Sequence, residues 1–202
     1  MWILKIGGSW ITSHLLVDLL KLLKKQAEKE NILIVVGGGC FADSVRHVYK
    51  NKKMSEKTGN FIALKSTELF AYLLKEIDTD IDLIEDFGSF SNKGNLKVWL
   101  PSKVLKKESS FISNWESTSD SVAAWLYNKI NAKGLLFIKS LKLNRNSYNL
   151  KYLQKQKIID QNVGKYIFNR NNIKIIGPEI VGYLKNYCQW EKIFLKMKEI
   201  EF

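Results

Sequence analysis

Two lysines stand at the ends of apolar runs, where a buried ammonium requires an anionic partner. Lys5 lies within Trp2-Ile3-Leu4-Lys5-Ile6, and Lys139 follows Leu135-Leu136-Phe137-Ile138. An unpaired buried ammonium is costly, so each amine either meets an anion or snorkels off its strand end. The same arrangement at two strand ends favours the anion. Gly7-Gly8-Ser9 follows the first run and offers backbone N–H groups unobstructed by Cβ atoms, at the positive N-terminal end of the next helix. Gly37-Gly38-Gly39 repeats the arrangement after the second run. Three successive glycines forfeit considerable backbone entropy unless something must approach closely. Each loop alone is an ordinary strand-to-helix connection. The pair, one of them preceded by a lysine, points to phosphate handling.

Thr118-Ser119-Asp120-Ser121 opens a helical pattern. One such residue suffices to cap a helix. Four in succession suggest hydroxyls that bind a substrate or nucleotide oxygen, and a carboxylate able to orient a lysine. Neither glycine loop matches the Walker A pattern or the Gly-x-Gly-x-x-Gly dinucleotide fingerprint. The 2 cysteines, Cys40 and Cys188, lack metal-ligand spacing, and with only 2 histidines no protein-held metal site is expected.

Alternating strand and helix patterns must position these residues. After the first run, Leu15, Leu16, Leu19, Leu20 and Leu23 recur at helical spacing. Ile32-Leu33-Ile34-Val35-Val36 is uniformly apolar, as in a central strand buried on both faces. Phe41 to Tyr49 predicts a short helix, and Ile62, Leu69, Phe70, Leu73 and Ile77 a longer one. Within 78–114, Leu83-Ile84 and Val98-Trp99-Leu100 are candidate strands among variable loops. A helix is expected over 119–131 and a strand over 134–138. Residues 140–172 mix polar and helical signals, and Ile173–Ile176, Pro178–Tyr187 and Ile193–Leu195 predict a final strand, helix and strand. The expected architecture is a single α/β domain over 1–202 with a mainly parallel sheet.

With 46% hydrophobic residues, 12% aromatics and 2 prolines among 202 residues, the chain is neither disordered nor fibrous. Its net charge of +12 raises the question of nucleic acid. Arginine, the better reader of bases and phosphates, occurs only at Arg46, Arg145 and Arg170, and the lysines are dispersed, with Lys21, Lys24, Lys25 and Lys29 on one helix face and Lys151, Lys155 and Lys157 in a later stretch. A solvated basic surface that draws in a small anionic substrate is expected, and no nucleic-acid partner. No run approaches the ~18 apolar residues of a membrane span, and Gly7 and Gly8 come too early for a signal sequence, so a cytoplasmic protein without a membrane partner is expected.

Lys5-Ile-Gly-Gly-Ser9, Val35-Val-Gly-Gly-Gly-Cys-Phe-Ala-Asp-Ser-Val-Arg46, Trp115-Glu-Ser-Thr-Ser-Asp-Ser-Val-Ala-Ala-Trp-Leu126 and the strand ending in Lys139, in this order, resemble the amino acid kinase superfamily. The second and third segments resemble more narrowly its small aspartokinase-like branch, which contains a methanofuran-pathway phosphate kinase, [5-(aminomethyl)furan-3-yl]methyl phosphate kinase. The resemblance implies a three-layer α/β/α sandwich, use of ATP with Mg²⁺, a phosphorylated small-molecule acceptor converted to a diphosphate, and a homo-oligomer. It implies that Lys5 and Lys139 stabilise the transferring phosphoryl group and that Asp120 aligns them. Gly7, Gly8 and Ser9 would hold nucleotide phosphates. Gly37, Gly38 and Gly39 would face the acceptor, followed by Asp43 and by Arg46 as a ligand of the acceptor phosphate, with Thr118, Ser119 and Ser121 nearby. A kinase with a carboxylate or other phosphate acceptor, and a nucleotide-sensing relative without turnover, are the alternatives. The chain departs from the superfamily in running Lys139-Ser-Leu-Lys-Leu-Asn144 where Lys-x-x-Asp-Gly is common, and in lacking a Gly-Gly-Met-x-x-Lys element.

Overall fold

The computed structural model describes residues 1–90, 94–168 and 171–202. Arg170 lies outside them. Three five-residue strands form the centre: β1 (Trp2–Ile6), β2 (Ile32–Val36) and β5 (Gly134–Ile138), every residue of each being buried. β1 lies between the other two and runs parallel to both, with Lys5 in register with Val35 and Phe137. Such predominantly apolar runs suit strands covered on both faces. β3 (Asp82–Ile84), β4 (Lys97–Trp99), β6 (Ser147–Asn149), β7 (Ile173–Ile176) and β8 (Lys198–Glu201) complete the order β3-β4-β2-β1-β5-β7-β8-β6. Only the β7–β8 pairing is antiparallel among the described residues.

Side chains alternate across the strands and divide the interior into two cores. Leu4, Ile6, Ile34, Val36, Leu136 and Ile138 face α1 (Leu16–Ala27) together with α8 (Ile180–Asn186) and α9 (Trp190–Leu195). Leu16, Leu19, Leu20, Leu23 and Ala27 form the buried stripe of α1, and each fully buried leucine contributes about 1.5–3 kcal/mol relative to exposure. Ile3, Leu33, Val35, Leu135 and Phe137 face α5 (Ser119–Lys129), α6 (Leu150–Lys155) and α7 (Val163–Tyr166). The result is the expected α/β/α sandwich. By the same alternation Lys5 and Lys139 belong to the α5 side.

Helices α2 (Gly39–Asn51) and α3 (Glu56–Ile77) follow β2, and α4 (Ser102–Leu105) follows β4. The third glycine of the second loop is therefore the first residue of a helix. The C-terminal expectation needs one correction: Ile193–Leu195 belongs to a helix, not a strand. Trp190, Ile193, Phe194 and Met197 are all buried, a helical spacing that packs one face against the first core. The last strand is instead β8, of which only Ile200 is buried.

Candidate active site

The alternation that places Ile3 and Phe137 in the second core aims Lys5 and Lys139 at the first turn of α5, where Asp120 lies. Lys139 Nζ donates to both carboxylate oxygens of Asp120, at 2.7 and 2.8 Å. Lys5 Nζ lies 2.9 Å from Oδ1 of the same carboxylate. The three residues are buried, with exposures of 4%, 4% and 7% for Lys5, Asp120 and Lys139. Burial alone would raise the Asp120 carboxyl, but the Lys139 and Lys5 ammonium groups outweigh it and hold the group below its ordinary value. Burial lowers Lys139 to about 8, with the Lys5 charge adding to the shift and Asp120 opposing it. Two ammonium groups share one carboxylate beneath the C-terminal ends of β1 and β5, an arrangement suited to receiving a further anion.

Asp160, absent from the expected site, holds the start of α5. Its carboxylate accepts from the Thr118 N–H at 2.8 Å, the Thr118 hydroxyl at 2.7 Å and the Ser121 N–H at 3.0 Å. Thr118 is the N-cap residue, yet its side chain makes no capping bond. The capping comes from a carboxylate distant in the chain. Burial and the nearby Asp120 charge raise the Asp160 carboxyl.

The two glycine loops meet backbone to backbone. A Cβ on Gly8 would lie 2.0 Å from Gly39 N, and one on Gly37 would lie 2.4 Å from Gly8 N. Gly39 also adopts a φ of 49°, in the left-handed region. Mutual contact therefore requires these glycines, before any ligand is considered. Gly7 differs: its Cβ would find no atom nearer than Ile138 O at 3.4 Å. The Gly7 N–H donates to Ile138 O and the Gly37 N–H to Ile6 O, at 2.9 and 2.8 Å, extending the sheet's hydrogen bonding into both loops. Ser9 Oγ meets Ser140 Oγ at 2.5 Å, joining the first loop to the exit of β5.

Three clefts run side by side along this edge. One is lined by Lys5, Gly7, Gly8, Ser9, Lys139 and Lys157, among others. The next shares Gly8 and Ser9 with it and adds Gly37, Gly38, Gly39, Asp43, Arg46 and Ser119. The third shares Gly38, Arg46 and Ser119 with the second and passes between α2, α3 and the segment 115–119. Arg46 is bonded to Asp43 at 2.6 Å, and its guanidinium lies 6.0 Å from the centre of the Trp115 ring. Thr118 lines the third cleft with its hydroxyl proton committed to Asp160. Ser121 is wholly buried, lines none of the three clefts, and donates its N–H to Asp160. Lys157, absent from the expected site, holds a φ of 55° and borders the cleft of Lys5 and Lys139.

No family model matches the chain. Over 140 residues it is 31% identical to [5-(aminomethyl)furan-3-yl]methyl phosphate kinase of Methanocaldococcus jannaschii, a match that spans 67% of this chain and 64% of the relative. Its fold matches uridylate kinase from Archaeoglobus fulgidus over 99% of each chain, with a TM-score of 0.68 and 18% identity. UMP kinase from Ureaplasma parvum aligns with a TM-score of 0.61 at 12% identity, over 100% of this chain and 95% of that one. Aspartate kinase from Synechocystis aligns with a TM-score of 0.62 at 10% identity, over 88% of this chain and 37% of that one. The sequence match and the shared fold support assignment to the amino acid kinase superfamily.

Within this fold the segment after Lys139 takes its own course. Ser140 is tied to Ser9 and Leu141 borders the cleft. Among the described residues no three His, Cys, Asp or Glu side chains converge as a metal site. The clefts offer lysines and backbone amides, donors suited to phosphate oxygens rather than to a cation. No helix among the described residues is long and apolar enough to cross a membrane.

Proposed function

We propose that the chain is an ATP-dependent kinase that converts a phosphate monoester into a diphosphate, with [5-(aminomethyl)furan-3-yl]methyl phosphate as the leading candidate acceptor. The observation that carries this reading is the buried Lys5–Asp120–Lys139 cluster at the floor of a cleft continuous with a second, arginine-bearing cavity. The Lys5 and Lys139 side would receive the nucleotide's phosphates, and Arg46 the phosphate of the acceptor. Mg²⁺ would enter with the nucleotide, bound to its phosphate oxygens.

An oxygen of the acceptor phosphate attacks the γ-phosphorus, the bond to the bridging oxygen of ADP breaks, and negative charge spreads over the transferring oxygens. Phosphoryl transfer asks chiefly for alignment and charge stabilisation. Lys5 and Lys139 supply the charge, and Asp120 fixes their positions. Ser119, which borders both the phosphate and acceptor clefts, is placed to orient the acceptor phosphate. The acceptor in the relative's name is itself a phosphate monoester, which supports the choice of acceptor class.

The test supplies purified protein with Mg-ATP and that furan phosphate and measures ADP release together with the diphosphate product. Turnover on a carboxylate acceptor alone would reassign the substrate class. Tight ATP binding with no turnover on a panel of phosphates and carboxylates would identify a nucleotide sensor instead.

A further inference from the structure

The wall of the third cleft contributed by α3 accepts hydrogen bonds and has no side-chain donor left to give. Asn60, Ala63, Leu64 and Thr67 line it, a single helical face. Asn60 is buried, and its Nδ2 donates to Asn114 O at 2.6 Å and to Ser117 O at 2.9 Å. Both partners are carbonyl oxygens, so the amide orientation is determined: both Nδ2 protons are committed to the 114–117 segment, and Oδ1 is left to act as an acceptor. The hydroxyl of Thr67 donates to Leu64 O at 2.8 Å, which leaves only lone pairs toward the cleft.

From this we infer that the acceptor carries, in addition to its phosphate, a hydrogen-bond donor received by Oδ1 of Asn60, and that Asn60 determines specificity for it. The donor is a hydroxyl or an amine. The inference rests on the phosphate-monoester reading above and deepens it. A ligand with a methyl group at that point would displace water from the amide oxygen and return nothing, which is how sites built around a polar contact reject isosteres. Arg46 and Ser119 remain for the phosphate, so the two ends of the acceptor are recognised by opposite hydrogen-bonding character.

Calorimetric binding to the intact wild-type protein tests this with three benzyl phosphates carrying a 3-hydroxymethyl, 3-aminomethyl or 3-ethyl group. At least one of the first two should bind about tenfold or more tightly than the ethyl compound, and the tighter of them identifies the donor. In Asn60→Ala the preference should shrink to about twofold or less. That variant also loses the bonds to Asn114 and Ser117, so the wild-type series decides the matter if it fails to fold. Equal binding of the three esters overturns the inference alone. Binding of none overturns both it and the phosphate-monoester reading.

Discussion

Lys139 donates to both oxygens of Asp120, at 2.7 and 2.8 Å, while Lys5 reaches one of them from the adjacent strand. Burial lowers Lys139 to about 8, so its charge is lost as pH rises through that value. A phosphoryl group cannot be stabilised by a neutral amine as it is by an ammonium. The plot of kcat/KM for ATP against pH should therefore fall with an apparent pKa of about 8. The fall in kcat should lie at higher pH, because bound phosphates favour the charged amine. Stability should respond in the opposite sense. The unfolded amine keeps its ordinary value of 10.5, so between about 8 and 10.5 the unfolded chain binds more protons. This group's destabilising contribution is thus complete below about 8 and is relieved as pH rises toward 10.5. Superimposed kcat and kcat/KM profiles with no limb below pH 10 would remove Lys139 from the chemistry.

Lys5 and Asp120 should separate activity from folding. Lys5→Met keeps most of the stem and leaves Lys139 and Asp120 as a neutral pair, so the thermal midpoint should change little. Turnover should fall by about 10²–10³-fold or more, the effect of losing one preorganised donor to a developing charge. Asp120→Ala leaves two buried ammonium groups without a counter-ion and should cost about 3–5 kcal/mol of stability. Denaturant titration and steady-state kinetics on the same preparations check both. A Lys5→Met protein that turns over normally would refute its assignment.

Gly7 and Gly8 are neighbours with opposite tolerances. Gly8→Ala would put a methyl 2.0 Å from Gly39 N and 2.6 Å from Gly39 Cα, backbone atoms that cannot rotate away. One loop must move, at a cost of about 1–3 kcal/mol or more. Gly7→Ala meets nothing closer than 3.4 Å and should fold with its stability nearly unchanged. Melting curves of the two variants compare them directly, and equal midpoints would show that the loops do not meet as described.

What was legible in the chain follows from physical constraint. A lysine inside Leu4-Lys5-Ile6 is conspicuous because an ammonium there needs a partner, and Asp120 was legible as a carboxylate at a helix start. The glycines drew attention for their entropy, but part of their reason is tertiary, since Gly8 and Gly39 need each other's missing side chains. Asp160 left no mark because its partners, Thr118 and Ser121, are remote in sequence and meet it only through folding. Ser121 follows Asp120 yet lines none of the three clefts, because adjacent residues on a helix point in different directions. Ile193-Phe194-Leu195 reads equally as strand or helix by composition, and only the burial of Trp190 and Met197 at helical spacing decides it.

Lys157 combines a backbone cost with a position of chemical use. Its φ of 55° is one that glycine adopts freely and a side chain does not. It also borders the cleft that holds Lys5 and Lys139. Left-handed geometry costs a non-glycine residue about 1–2 kcal/mol, and glycine's larger unfolded freedom returns about 0.5–1 kcal/mol of that. Lys157→Gly should therefore stabilise the protein by about 0.5–1 kcal/mol. The same change removes an exposed ammonium from the mouth of the cleft proposed for the nucleotide, so KM for ATP should rise by roughly three- to tenfold, with kcat altered far less. Lys157→Arg, which keeps charge and backbone strain, should retain the wild-type KM. A glycine variant that is more stable and binds ATP as before would show that the strained conformation serves the turn after α6 and not the nucleotide.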